Sequence, residues 1–353
     1  MRSVIPFIWS DDVLLHEPEA AVWVGTPMPA TEVPDRARRV RAALLAAGHP
    51  ERAAVPHPDE DLLSVHEAAM VEWLRTASAR WDAGPYAEVA GRRQVVPYVF
   101  PTPMMTSGRP WRYPAATHAR AGVWCYDTMT PVGPGTWRAA RAAADGALTA
   151  ARHVAEGQRA VYALCRPPGH HAAPAGFGGS CYLNNAALAA RALAGRGWRV
   201  AVLDLDAHHG NGTQAAFWDD PRVCYGSVHA DPGDGWFPHV VGYADETGPA
   251  TGEAAGTVAN VPLATGAGDE EWLRGVLTIA EGAVRFGAEA LVVSLGVDAA
   301  GTGPDAPLAV TGAGFAAAGR VLAGLDLPTV LVQEGGDDLE TIGDLVTATL
   351  AAF

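Results

Sequence analysis

Apolar, β-branched runs of strand length recur along the chain at 160–165, 199–206, 223–228, 290–295 and 329–332. Between them lie Ala-rich segments with helical spacing of the apolar positions, at 136–155, 184–194, 269–286, 311–325 and 338–352. Near-continuous apolar strands alternating with helices predict an α/β fold, an open and mostly parallel sheet with helices on both faces. In such sheets ligands bind beyond the carboxyl ends of the strands. The polar clusters of this chain fall there: CRPPGHH, DLDAHHGNG, SVHADPGDGWFP, SLGVDAAGTGP and QEGGDD each follow a strand. The stretch 84–122 breaks the rhythm, being rich in Pro, Arg and aromatic residues, and reads as a long functional loop or insertion. With no internal repeat, residues 1–353 are expected to form one domain carrying that insertion.

Composition narrows the function. A chain of 353 residues with 49% hydrophobic content can bury a large core. Its formal charge of -14 argues against nucleic acid as a partner, because phosphate binding needs a cationic face. All 25 basic residues are arginines, which excludes Schiff-base or lysine-nucleophile chemistry. Cys125, Cys165, Cys181 and Cys224 form no CxxC pair, so neither a disulfide framework nor a thiolate zinc site is signalled, and a reduced, cytoplasmic setting is expected. No uncharged apolar run reaches the roughly 18 residues of a membrane span, so a soluble, unexported protein without a membrane partner is expected.

The run 202–212, VLDLDAHHGNG, carries the most chemistry. Asp206 and His208 are two apart, so at the end of an extended strand their side chains point the same way. A carboxylate and an imidazole converging in this manner suit a borderline divalent ion such as zinc. Asp298, beyond the strand 290–295, is the natural third ligand, and such a set leaves room for water and a substrate carbonyl. A plainer reading stands beside it, in which Asp206 caps a helix and His208 is a polar residue at a strand end. His170 and His171 follow another strand on a Pro/Gly-stiffened turn, where two imidazoles could serve as base and acid toward one water.

Taken together, RPPGHH at 166–171, CYLNN at 181–185, DLDAHHGNGT at 204–213, SLGVD at 294–298 and QEGG at 333–336 resemble the histone deacetylase superfamily. The likeness is greatest to its acetylpolyamine amidohydrolase branch and extends to PVGPGTW at 131–137 and GYADE at 242–246. This resemblance implies an arginase/deacetylase-type sheet, with one zinc ion per chain on Asp206, His208 and Asp298. It implies His170 and His171 above the metal, oriented by Asp204 and Asn211 respectively. A carboxylate behind His170 and a neutral amide behind His171 should make the two rings titrate differently. A structural potassium ion on Asp204, the Asp206 and His208 carbonyls and Ser227 is implied as well, as are a small acylated amine as substrate and a homodimer. Arginase is the poorer match, since the extra acid of a two-manganese site is missing at Gly296 and Ala300.

Three departures qualify the resemblance. Relatives follow the glycine pair with a tyrosine that polarises the substrate carbonyl; here Asp337 stands in its place. Three readings of Asp337 are open: a capping box with Glu340 on the last helix, a cation-binding or proton-transfer group, or the mark of a catalytically dead protein. Where relatives have GFC this chain has Gly179, Ser180 and Cys181, so the substrate tunnel, with Phe237 as its other wall, is expected to be wider and more polar on that side. Asp127 falls where relatives carry a rim aspartate, and serves equally well as a turn residue. Arg92, Arg93, Arg109, Arg112 and Arg120 in the insertion hint at an anionic substrate, or form solvated faces or a dimer contact. The expected function is zinc-dependent hydrolysis of an N-acyl, foremost N-acetyl, amide of a small molecule. The alternatives are a specialised biosynthetic amidohydrolase with an unusual, anionic substrate and a non-catalytic, zinc-containing protein that binds acylated ligands.

Overall fold

The computed structural model describes residues 4–353 except Tyr86, Val89, Ala90, Arg92, Trp111 and 303–305. Its strands are β1 (Phe7–Trp9), β2 (Ala21–Trp23), β3 (Thr26–Met28), β4 (Glu51–Ala53), β5 (Ala160–Ala163), β6 (Val200–Asp204), β7 (Val223–Ala230), β8 (Val258–Leu263), β9 (Ala290–Leu295) and β10 (Thr329–Gln333). Eight of them form one sheet in the order β4-β1-β5-β10-β9-β6-β7-β8, every pair parallel. β2 and β3 make a separate antiparallel ribbon. This is the arginase/deacetylase-type sheet that the resemblance implied.

Alternation along the strands builds two apolar layers. Val200, Val202, Val292, Val330 and Val332 face one way, against the helices Ala68–Asp82, Thr136–Ala155 and Asn185–Ala194. Ala201, Leu203, Leu291, Val293 and Leu331 face the other, against Pro34–Ala46, Asp269–Phe286, Gly312–Ala323 and Ile342–Leu350. Burying each such Val or Leu contributes roughly 1.5–3 kcal/mol, so sequestering both faces is what fixes the strand register. No helix among the described residues is long and apolar enough to cross a membrane.

Helix starts follow local capping. Asn184 Oδ1 accepts from Ala187 N at 2.9 Å, and Thr311 caps Gly314 N at 3.4 Å. The last helix begins at Ile342, four residues later than the periodicity suggested, because Asp338 ties down the preceding turn. Its Oδ1 accepts from Glu340 N at 3.0 Å and its Oδ2 from the Thr341 hydroxyl at 2.7 Å. Asp338, not Asp337, holds this turn, and the helix that follows has no side-chain cap at Thr341. Among the described residues of 84–122 the helix Pro103–Thr106 and the start of the helix Thr117–Trp124 make the insertion less irregular than its composition predicts. Arg92 lies outside the described residues.

Candidate active site

The central strands β6, β9 and β10 run out side by side, and their extensions meet. Asp206, His208 and Asp298 each offer one donor atom, all within 4.8 Å of one another. His208 Nδ1 lies 2.9 Å from Asp298 Oδ2 and 3.3 Å from Asp206 Oδ1. The floor is Gly335, whose N–H donates to Asp206 Oδ2 at 2.8 Å. A Cβ there would stand 2.5 Å from Asp206 Oδ2 and 2.6 Å from Asp298 Oδ2, so only glycine lets the backbone approach so closely. Burial favours the neutral form of both carboxylates, yet the imidazolium charges of His170 and His208 hold Asp206 well below its ordinary value. Asp298 is raised, by burial and by the Asp206 charge. One buried and one partly buried carboxylate with an imidazole, cradled by glycine and with no Arg among them, fit a divalent cation such as zinc.

Above this cluster the rings of His170 and His171 lie 4.0 Å apart, tilted by 44°. His170 Nδ1–H donates to Asp204 Oδ2 at 3.0 Å, leaving Nε2 turned to the centre, 3.8 Å from Asp206 Oδ1. His171 Nδ1–H donates to Asn211 Oδ1 at 2.8 Å. The rings differ, though not for the reason of those partners alone: the Asn211 hydrogen bond works to raise His171, and nearby charges decide the outcome. Burial disfavours the imidazolium of His170, but Asp206 and Asp204 outweigh it and raise the ring to about 10. Burial and the neighbouring His170 and His208 push His171 well below its ordinary value.

The turn bearing both histidines is fastened by a residue to which sequence reasoning assigned no role. Glu334 Oε2 accepts from Gly169 N at 2.6 Å and His170 N at 3.1 Å. Burial raises its carboxyl to about 7. The only hint of this in sequence is an acid ending an apolar strand before two glycines. Arg36 gives no hint at all. Buried on the helix Pro34–Ala46, it donates to the Gly336 carbonyl and, at 2.7 Å, to the Glu334 carbonyl, while Glu32 bridges it at 2.7 Å and Arg166 at 2.9 Å.

Asp337 points to Arg36, with its Oδ1 3.4 Å from Nε, and its side chain is 42% exposed. Asp127 turns inward: Oδ2 accepts from Gly179 N at 2.6 Å and Thr130 Oγ1 at 3.2 Å, and Oδ1 from Met129 N at 2.8 Å. It thus holds its own turn and, across 52 positions, the backbone next to Ser180. Ser227 lies opposite Asp204 in the β6–β7 register, but its hydroxyl is engaged by His229 Nδ1 at 2.8 Å.

The tunnel expectation needs correction. Tyr126 stands across from Phe237, ring centroids 6.3 Å apart and planes within 12°, and packs on Gly178 beside Ser180. An aromatic ring thus occupies the side expected to be open. Three of the insertion's arginines are engaged by partners of their own. Arg93 pairs with Asp82 at 2.5 Å, Arg109 donates to Thr106 O at 2.9 Å, and Arg120 stacks over Tyr113 at 5.6 Å.

A parallel α/β sheet whose strand ends bring acids and imidazoles together beneath paired histidines defines the metal-centred amide hydrolases built on this fold. The chain belongs to the histone deacetylase family, whose domain description matches residues 30–353. It is 37% identical over 338 residues to the acetylpolyamine amidohydrolase of Mycoplana ramosa, covering 95% of this chain and 96% of that one. It is 40% identical over 331 residues to the acetylpolyamine amidohydrolase of Burkholderia pseudomallei, covering 94% and 93%. The crystal structure of an acetylpolyamine aminohydrolase from Burkholderia pseudomallei superposes with a TM-score of 0.92 at 37% identity, over 99% of this chain and 98% of that one. The protein is accordingly an amide-hydrolysing enzyme of this family.

Proposed function

We propose that the enzyme removes an acyl group, foremost acetyl, from the amine nitrogen of a small molecule, with one zinc ion held by Asp206, His208 and Asp298. The observation that carries this reading is the convergence of those three ligands beneath two imidazoles of opposite proton affinity. Zinc, when bound, supplies Lewis acidity to the attacking water and to the acyl carbonyl. His171, neutral and held by Asn211, takes the water's proton at Nε2 and returns it to the leaving amine. His170, backed by Asp204, holds positive charge beside the developing oxyanion.

Asp337 departs from this scheme. As an anion paired with Arg36 it donates no hydrogen bond to the carbonyl. Missing one such donor costs about a hundred- to thousandfold in rate, so a slow deacetylase is expected on ordinary acetyl amines. The same observation favours the second reading, a zinc-containing protein that binds acylated ligands without turnover. A potassium ion near Asp204 and Ser227, a cytoplasmic setting and a homodimer complete the proposal. Exposed Tyr98, Met104 and Met105 of the insertion support the dimer.

Purified protein would be analysed for metal content and incubated with N-acetylated mono- and diamines, with released acetate measured. One zinc per chain and acetate release are expected. Bound zinc without acetate release would favour the binding protein, and protein without stoichiometric metal would sink both readings.

A further inference from the structure

Ser180 provides no ring, and Tyr126 fills the space facing Phe237. Its phenol is pinned from several directions. The hydroxyl donates to the His171 carbonyl at 2.8 Å and accepts from Asn211 Nδ2 at 3.3 Å. The ring lies where a Cβ on Gly178 would collide with it, and Tyr126 N donates to Phe177 O at 3.0 Å. Phe237 is braced as well: His171 meets its ring edge-on at 4.7 Å, and the neighbouring Trp236 donates to Thr265 Oγ1 at 2.8 Å.

We propose that Tyr126 is the specificity-determining wall of the substrate channel, taking over from the aromatic side chain that Ser180 lacks, and that it selects unbranched chains next to the scissile amide. The proposal rests on the hydrolase site described above. A methylene chain clasped between two ring faces needs carbon contacts of about 3.5–4.0 Å on each side, so the rings must stand roughly 7–8 Å apart. The observed 6.3 Å is narrower. An entering chain therefore displaces one ring by on the order of 1 Å. Tyr126 is the one that yields, since the residue is 38% exposed and is held at its hydroxyl end, while Phe237 is wedged between Gly179 and His171. A slim chain stretches the phenol's bond to the His171 carbonyl; a branched or aromatic group breaks it. Substrate girth is thereby sensed at the backbone of the residue that moves the proton.

The test compares zinc-replete wild type with Tyr126→Phe, Tyr126→Leu and Tyr126→Ala. Straight-chain and branched N-acetyl amines report on kcat and KM, and straight-chain and aromatic hydroxamic acids report on equilibrium binding. Wild type should prefer the straight chain by about tenfold or more in both assays, the scale on which misfit methylenes are rejected. Tyr126→Leu and Tyr126→Ala should erase the preference in binding and in kcat/KM. Tyr126→Phe should keep it and lower kcat, because the ring remains while the tie to His171 is gone. An unchanged preference in the Leu and Ala variants, or none in wild type, overturns the proposal. Shape-selective hydroxamate binding by a wild type that releases no acetate supports the wall while defeating the hydrolase reading.

Discussion

At the strand ends Asp204, Asp206, Asp298 and Glu334 each accept from two or more groups, most of them remote in sequence, whereas in the insertion Arg93, Arg109 and Arg120 settle on neighbours within or beside their own loop. The centre is built from residues far apart in sequence and close in space; the contacts of these insertion arginines are close in both. Disturbing one member of the centre leaves a buried charge or donor without its partner, at about 1–3 kcal/mol for a neutral group and more for a charge. Disturbing those arginines exchanges one solvated contact for another. Chemistry therefore belongs to the centre, and the mouth is left to set which molecule enters.

The sharpest way to break this contrast is Asp298→Ala, which should abolish turnover and stoichiometric zinc together; elemental analysis alongside acetate release checks both. Full activity in this variant would mean that the metal cluster is misassigned. His171→Ala should lower kcat by about 10²–10⁴, the range for a lost general acid–base, with a smaller effect on KM. Asp337→Tyr sits at the boundary between the regions. Restoring a donor there should raise kcat on acetyl amines by about 10²–10³, and no gain would show that Asp337 does not limit the rate. Glu334→Ala should lower both kcat and thermal stability by freeing two buried N–H groups, while Glu334→Gln, which keeps an acceptor, should restore most of each.

The smallest effect is a pH dependence of stability. His66 accepts from Asn184 N at Nε2, 2.9 Å, and donates from Nδ1 to Ala173 O, 3.1 Å, so it must stay neutral. Burial lowers it from 6.5 to about 4. Its contribution is full above pH 6.5 and is lost as pH falls toward 4, because the unfolded chain binds the proton first. Between pH 7 and pH 5 that loss is about 2 kcal/mol. Urea unfolding of wild type and His66→Gln at both pH values should show a correspondingly flatter response in the variant.

The strands legible in the sequence are those buried on both faces, where every position must be apolar. β1 is equally buried but only three residues long, and β4 lies exposed at the sheet edge. β8, on the opposite edge, is interrupted by Asn260 and Pro262, which an edge strand tolerates. The site shows the same division. Asp206 and His208 declare themselves by spacing on one strand end. Glu334 meets Gly169 across 165 positions and Arg36 meets Gly336 across 300, distances that no local pattern encodes. Tyr126 was hidden differently: Ser180 announced a missing wall, and only packing could reveal what had moved in.

The last strand of the chain, β10, lies in the middle of the sheet, between β5 and β9. During synthesis the two halves of the sheet must therefore wait, with apolar edges uncovered, for β10 to leave the ribosome and slot between them. That same segment brings Glu334 and Gly335, so the polypeptide gains its catalytic floor in the step that closes the sheet. A nascent chain stalled before residue 329 would expose an aggregation-prone seam and have no hydrolytic capacity.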